Sequence, residues 1–218
     1  MKKALLCSTL LVLAAGAASA QTAPAAASTT PVESKIAACI GCHGIKGYQA
    51  SFPEVHKVPM IAGQDARYLT AALNAYKNGD RKHPTMRAIA STLTDADMAV
   101  ISAYYQQLAR PASTPEQPAA PSEDVAALLA RGACTSCHGA NYSKPVVGTY
   151  PKLAGQYADY LYVALKAYKT DNSAQVGRNN AIMTAQVKQF TNAELKAMAN
   201  YLGSLPSDLA TVPQSKFR

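Results

Sequence analysis

Apolar residues recur at helical spacing along most of this chain. In the segment 123–131, one face of a helix would carry Val125, Leu128 and Leu129. Ser122 before this segment is a favoured helix N-cap, and Gly132 after it is a favoured C-terminal stop. The pattern therefore predicts a helix over 123–131, with a matching helix over 33–38 earlier in the chain.

Two further segments carry the same kind of pattern. The segment 65–78 repeats an apolar stripe that consists of Tyr68, Leu69, Leu73 and Tyr76. A later helix is expected to begin at a capping box, in which a threonine is followed three residues later by an acidic residue. The two candidate boxes are Thr94-x-x-Asp97 and Thr191-x-x-Glu194. No convincing alternation of apolar and polar residues indicates a strand, so the predicted fold class is all-α.

The chain repeats itself, which indicates two copies of one domain. Three blocks return in the same order: Cys39-x-x-Cys42-His43-Gly44 as Cys134-x-x-Cys137-His138-Gly139, Pro59-x-Ile61-Ala62-Gly63-Gln64 as Pro151-x-Leu153-Ala154-Gly155-Gln156, and Thr94-x-Ala96-Asp97 as Thr191-x-Ala193-Glu194. The offset differs slightly from block to block, so insertions fall in the loops between conserved spacings. The predicted domains cover residues 32–110 and 122–212.

The first 20 residues have the pattern of a secretory signal peptide. Two lysines precede a short apolar run, which ends in the small residues Ala18-Ser19-Ala20. We therefore predict a signal peptide over 1–20, a disordered leader over 21–31 and a periplasmic protein. The proline-rich stretch 111–121 predicts an extended linker between the domains, and residues 213–218 form the predicted C-terminal tail.

Charge says little about the partner. The chain has 21 lysines and arginines against 13 acidic residues, a formal net charge of +8. The positive charge is spread over both halves, without the basic tail or cluster that is typical of nucleic-acid binding. We therefore expect no nucleic-acid partner.

Four of the five cysteines occur in two Cys-x-x-Cys-His motifs, and Cys7 lies in the predicted signal peptide. This motif is the attachment signature of c-type haem. Two thiols three positions apart can form thioethers with the two vinyl groups of one porphyrin, and the next histidine then supplies an imidazole to the iron. We therefore predict two covalently bound haem c groups. The predicted attachment residues are Cys39, Cys42 and His43 for one, and Cys134, Cys137 and His138 for the other.

Two other interpretations of the cysteine pairs are weaker. A thioredoxin-like pair would need a strand before it and a strand-rich fold, and no strand is predicted here. A zinc site with four thiolates would have to combine both pairs, although each pair lies in its own repeat beside its own histidine. A haem would also complete the thin core that about three short helices can build in each domain.

The repeat also predicts the second axial ligand of each iron. The second copy has one histidine, so it cannot supply two histidine ligands, and its methionines are Met183 and Met198. Met198 falls on the apolar face of the last helix, as a core residue does. Met183 lies in a predicted loop seven residues before Phe190, and Met86 lies seven residues before Leu93. The corresponding pair Met86 and Met183 is therefore predicted to bind iron.

Ligation by histidine and methionine leaves no open coordination position on the iron and raises its reduction potential, which suits electron transfer. His56 and His83 have no counterparts in the second copy. Either could be a distal ligand instead, but the expected interpretation of each is an exposed loop histidine.

Each axial imidazole is expected to donate its other N–H to a fixed acceptor, which orients the ring and tunes the iron. The predicted acceptors are the carbonyls of Pro59 and Pro151, because both prolines open the repeated block after the haem motif. The alternative is that the Ala-Gly-Gln of this block simply forms a tight turn before the second helix.

These residues resemble the dihaem cytochrome c4 family over residues 32–210. The resemblance rests on the two Cys-x-x-Cys-His-Gly motifs, the two proline blocks and the segment from Met86 to Asp95. It implies two tandem cytochrome c domains, each a small helical fold around one covalently bound haem with His/Met ligation. It also implies a carrier that delivers electrons to a terminal oxidase, often of the cbb3 type. The second copy departs from the family pattern after Met183.

The leading hypothesis is a periplasmic electron shuttle, free or loosely associated with the membrane, that is supplied by a donor such as a bc1 complex. The first alternative is the dihaem cytochrome subunit of a dehydrogenase, such as a sulfide-oxidising flavocytochrome. The second alternative is a dihaem peroxidase, which needs an open iron and polar groups for the peroxide oxygens. A methionine for each iron favours a carrier rather than an enzyme.

Overall fold

The computed structural model describes residues 31–110 and 120–213. The predicted signal peptide, nearly all of the predicted leader and linker, and the predicted tail beyond residue 213 lie outside the described residues. Within the described part of the chain, no helix combines the length and the apolar character that crossing a membrane requires.

Domain 1 is built from four helices and three two-residue strands among residues 31–110. In chain order these are α1 (Val32–His43), β1 (Gln49–Ala50), β2 (His56–Lys57), α2 (Ala66–Asn78), β3 (Arg81–Lys82), α3 (Pro84–Ser91) and α4 (Asp95–Gln107). Asp65 caps α2 by accepting from the Arg67 N–H at 2.8 Å. The capping box predicted at Thr94 and Asp97 is confirmed at the start of α4.

Domain 2 repeats most of this plan. Its elements are α5 (Glu123–Arg131), α6 (Cys134–His138), α7 (Ala158–Ala167), β4 (Gly177–Arg178), α8 (Ala181–Val187) and α9 (Asn192–Ser204). The helix predicted over 123–131 is confirmed, with Ser122 as its N-cap and Gly132 as its C-cap. The box at Thr191 and Glu194 begins α9 as predicted. Helix α7 packs on α9 as α2 packs on α4 in domain 1.

The two domains differ where the first helix meets the cysteine motif. In domain 1 the helix predicted over 33–38 continues through the motif to His43. In domain 2 the first helix ends at Arg131, and Ala133 then has a φ of 45°, in the left-handed region that side chains with a Cβ rarely adopt. A new helix, α6, then starts at Cys134.

The predicted all-α class of two tandem domains is confirmed, with short strand pairs added. The strands pair as β1 with β2 and as β3 with β4, both antiparallel. Each strand has only two residues, which is too short for an alternating pattern to appear in the sequence.

Each domain has its own apolar core, and Met198 lies in that of domain 2 as predicted. The core of domain 1 also includes a residue from the far end of the chain. It consists of Ile36, Ile40, Ala62, Leu69, Ile101, Tyr105 and Ala210. The Ala210 N–H donates to the Ala62 carbonyl at 3.0 Å, and Val212 packs against the same cluster. The segment after α9 therefore returns from domain 2 and helps to close the core of domain 1.

Candidate haem sites

The two cysteine motifs lie on short helical turns that face one cavity. Cys39, Cys42 and His43 form the last turn of α1, and Cys134, Cys137 and His138 form α6. Residues three apart on a helix lie on the same face, so each pair of thiols points to one side. None of the four cysteines forms a disulfide, and all four are partly buried. The four thiols are therefore available to attach a group bound in this cavity.

This placement leaves little support for the other interpretations of the cysteines. A thioredoxin-like pair follows a strand, whereas Cys39 and Cys42 continue a helix. Within residues 31–110 and 120–213, no group of three or more His, Cys, Asp or Glu side chains is placed to hold a metal ion together. The two pairs therefore do not form a four-thiolate zinc site.

Each motif histidine is held by a proline carbonyl from its own domain. His43 Nδ1 lies 2.8 Å from the Pro59 carbonyl oxygen, and His138 Nδ1 lies 3.0 Å from that of Pro151. Burial lowers the pKa of both imidazoles, and the hydrogen bond to the carbonyl partly opposes this. A neutral imidazole that donates from Nδ1 keeps its Nε2 lone pair for a metal.

Met86 and Met183 lie in the first turns of two short helices, α3 and α8, rather than in the predicted loops. The capping residue differs between the domains. Asn180 Oδ1 accepts from the Met183 N–H at 2.9 Å, whereas His83 Nδ1 accepts from the Met86 N–H at 3.4 Å. The caps fix where each helix begins, and both methionines line the same cavity as the cysteine motifs.

His56 and His83, which have no counterparts in domain 2, both form contacts within the fold. The expectation of an exposed His56 is wrong, since its side chain is 5% exposed. His56 Nδ1 lies 2.8 Å from the Glu54 carbonyl oxygen, and the ring lies beside Tyr160 of domain 2. His83 is partly buried and serves as the N-cap of α3. Both lie at the end of domain 1 that meets domain 2, where the domain boundary supplies burial that the local sequence does not reveal.

One cavity of about 660 Å³ extends through both domains. Its walls carry both cysteine pairs, both motif histidines and both methionines, among mostly apolar side chains. This composition fits a large apolar group in each domain, which the thiols would attach and the imidazole and thioether would bind.

Two arginines that the sequence analysis missed complete the fit. Arg81 and Arg178 line the cavity, and their guanidinium groups donate to the hydroxyls of Tyr68 at 2.7 Å and Tyr160 at 3.1 Å. Among the described residues no carboxylate forms an ion pair with either arginine. A buried cation is costly without a nearby anion, and the propionate carboxylates of haem would supply one. Arg81 and Arg178 are separated by the same interval as Met86 and Met183, so extending the repeat comparison would have found them.

The comparisons with known proteins agree with this geometry. Residues 34–109 and 122–206 each match the family model for cytochrome c. Cytochrome c-552 of Acidithiobacillus ferridurans is 30% identical over 207 residues, which cover 89% of this chain and 84% of that protein. The thiosulfate dehydrogenase electron acceptor of Stutzerimonas stutzeri is 30% identical over 176 residues, which cover 77% of this chain and 79% of that protein.

A solved structure shows the same arrangement of two domains. The cytochrome c4 structure from Acidithiobacillus ferrooxidans superposes with a TM-score of 0.61 at 28% identity, over 78% of this chain and 99% of that one. The predicted resemblance to dihaem cytochrome c4 is therefore confirmed, together with the predicted cofactor. The chain belongs to the cytochrome c family, as a dihaem electron carrier of the cytochrome c4 type with one covalently bound haem c in each domain.

Proposed function

We propose that this carrier works in the periplasm and passes single electrons between components of a respiratory chain, donating to a terminal oxidase. The acceptor would be an oxidase of the cbb3 type, and the donor a complex such as bc1. The observation that carries this proposal is the placement of one histidine and one methionine from each domain on the walls of one apolar cavity. Two protein ligands to an iron suit electron transfer and leave no open position for a substrate.

The residue roles in this proposal follow the geometry of each domain. In domain 1, Cys39 and Cys42 would form the thioethers and His43 and Met86 would bind the iron, while the Pro59 carbonyl orients the imidazole. In domain 2 the same roles fall to Cys134, Cys137, His138, Met183 and Pro151. The haem supplies a one-electron couple at its iron. The histidine and methionine of each domain would bind that iron, and the mostly apolar wall of the cavity would keep water away from it.

The periplasmic location is supported by the N-terminal pattern of two lysines, an apolar run and Ala18-Ser19-Ala20. N-terminal sequencing of the exported protein tests it, with Gln21 as the expected first residue. A mature protein that still begins at Met1 would contradict a cleaved signal peptide.

The electron-transfer role is tested with the purified holoprotein. A redox titration with optical detection is expected to show two one-electron haems. The reduced protein should then be oxidised by membranes that contain a terminal oxidase, with matching oxygen uptake. Oxidation by hydrogen peroxide at enzyme-like rates, without transfer to the oxidase membranes, would favour the peroxidase alternative and overturn the carrier proposal.

A second candidate is a carrier that serves a dehydrogenase directly. Its support is the 30% identity to a relative named as the electron acceptor of thiosulfate dehydrogenase. In this case the oxidised protein should be reduced rapidly by a thiosulfate dehydrogenase with thiosulfate. Purification from the native source separates a free carrier from a bound subunit, because a subunit would elute with its dehydrogenase. Slow reduction by the dehydrogenase, together with elution of the protein without any dehydrogenase, would count against this candidate.

A further inference from the structure

Two buried glutamines cross the domain interface in mirrored fashion. Gln156 of domain 2 accepts from the Met60 N–H at 3.0 Å and donates to the Met60 carbonyl at 2.8 Å. Gln64 of domain 1 accepts from the Lys152 N–H at 2.9 Å and donates to the Lys152 carbonyl at 3.1 Å. Gln64 is 3% exposed and Gln156 is 4% exposed. We call these four hydrogen bonds the glutamine clasp.

The clasp reaches the peptide group that holds the motif histidine of domain 1. The carbonyl of the peptide joining Pro59 to Met60 accepts from His43 Nδ1, and the N–H of the same peptide donates to Gln156. A peptide that donates through its N–H is a stronger acceptor at its carbonyl, because hydrogen bonds in a chain polarise one another. Gln156 therefore acts on His43 through a single peptide group.

Domain 2 has the same chain of contacts in the opposite direction. The peptide joining Pro151 to Lys152 accepts from His138 Nδ1 at its carbonyl and donates from its N–H to Gln64. An interdomain contact does not need to involve the two peptides that accept from the motif histidines. An exposed interdomain hydrogen bond, between the Asn179 side chain and Asp80, joins the domains without touching either of them.

We propose that each glutamine is a positioning residue for the haem of the other domain, with Gln156 tuning the haem bound by His43 and Gln64 tuning that bound by His138. The inference rests on the proposed axial roles of the two histidines. A stronger hydrogen bond from Nδ1–H makes an imidazole a better electron donor, which stabilises ferric iron and lowers the potential. Loss of either glutamine therefore raises the potential of the haem across the interface.

The test uses Gln156→Met and Gln64→Met in the holoprotein, because methionine is of similar length and cannot form these hydrogen bonds. Gln156→Met should change the ferric-to-ferrous equilibrium of the domain 1 haem about threefold in favour of the ferrous form, roughly 30 mV, with a smaller effect in domain 2. Gln64→Met should give the reverse pattern. Asn179→Ala removes the interdomain hydrogen bond to the Asp80 carboxylate without changing the charge of the protein, and it should leave both potentials nearly unchanged.

The readout combines an NMR-monitored redox titration, which follows each haem separately, with ¹⁵N signals of the histidine rings. In the unmodified protein, iron-bound signals from His43 and His138 establish the axial roles, and their absence contradicts the proposed sites and this inference with them. Where those signals are present, two outcomes overturn the tuning across the interface and leave the proposed sites intact. One is that the potentials are unchanged, and the other is that both haems shift equally in all three variants. Should Gln156→Met fail to fold, Gln156→Glu retains the acceptor for the Met60 N–H. Two changes of ¹⁵N signal relative to the unmodified protein are then compared: that of His43 in Gln156→Glu and that of His138 in Gln64→Met. The change at His43 should be the smaller one, and a larger change at His43 would contradict the proposal.

Discussion

Arg81 and Arg178 lie opposite each other in the strand pair β3–β4, which joins the two domains. Each guanidinium stacks on tyrosines of its own domain, and each donates to one of their hydroxyls. Two cations brought this close at an interface repel each other unless anions lie beside them. The guanidinium groups of Arg81 and Arg178 would therefore hold the carboxylates of the haems.

The first prediction concerns the charge of this pair. In Arg81→Gln the domain 1 haem should become easier to oxidise, because a nearby cation favours the ferrous form. The expected loss of preference for the ferrous form is on the order of 1 kcal/mol, and a redox titration of the holoprotein measures it. Arg67→Gln removes an exposed arginine that pairs with Asp65, and it should leave the potential nearly unchanged. Equal shifts in the two variants would contradict a specific role for Arg81.

The second prediction concerns the methionines. Met86→Ala and Met183→Ala should each abolish the methionine–iron charge-transfer band of one haem, because each removes one proposed thioether ligand. Optical spectra of the ferric protein measure this loss. Met198→Leu is the matched control, since Met198 is a buried core residue and its variant should keep both bands. A full band in both alanine variants would show that the ligand assignment is wrong.

The third prediction is a pH dependence of folding stability at the start of α9. Hydrogen bonds from the Thr191 backbone, and then the ion pair with Arg131, lower the pKa of Glu194 from 4.5 to about 2. A carboxylate with a lowered folded-state pKa stabilises the protein above its unfolded-state pKa, and this contribution is lost as the pH falls through the folded-state value. Glu194→Gln should therefore be less stable than the unmodified protein above about pH 4.5, and the difference should disappear towards pH 2.

Urea unfolding followed by circular dichroism between pH 2 and pH 7 measures this difference. Glu123→Gln serves as the control, because Glu123 lies in the first turn of α5 but is not part of a capping box. A stability difference for Glu194→Gln that stays constant down to pH 2 would contradict the assignment.

The fourth prediction tests whether the segment after α9 belongs to the core of domain 1. Ala210 is 2% exposed, so Ala210→Asp would bury an unpaired carboxylate there at a cost of about 2–4 kcal/mol. Amide hydrogen exchange should show faster opening of α1 and α2, with less effect in domain 2. Ala193→Asp places the same side chain in the exposed first turn of α9, where a negative charge is tolerated. Similar losses of protection in both variants would count against the packing role.

The local features of the fold were predictable because they depend on neighbours in sequence. The boxes at Thr94 and Thr191 and the caps at Ser122 and Gly132 involve residues a few positions apart, so the sequence contains both partners. The burial of His56 was not predictable, because its neighbour Tyr160 lies in the other domain. The placement of Met86 in a helix rather than a loop was missed because α3 has only eight residues and offers little periodicity.

By itself the sequence determined the cofactor of this protein: two Cys-x-x-Cys-His motifs indicate one covalently bound haem c in each domain, because these groups act through their own atoms and spacing. Only the tertiary structure decided how the two halves act on each other. The link from Gln156 to His43 through one peptide, and the contact of Arg81 with Arg178, join residues about one hundred positions apart. Such pairs meet only when two separately folded cores pack together, and the spacing within one repeat carries no record of that packing.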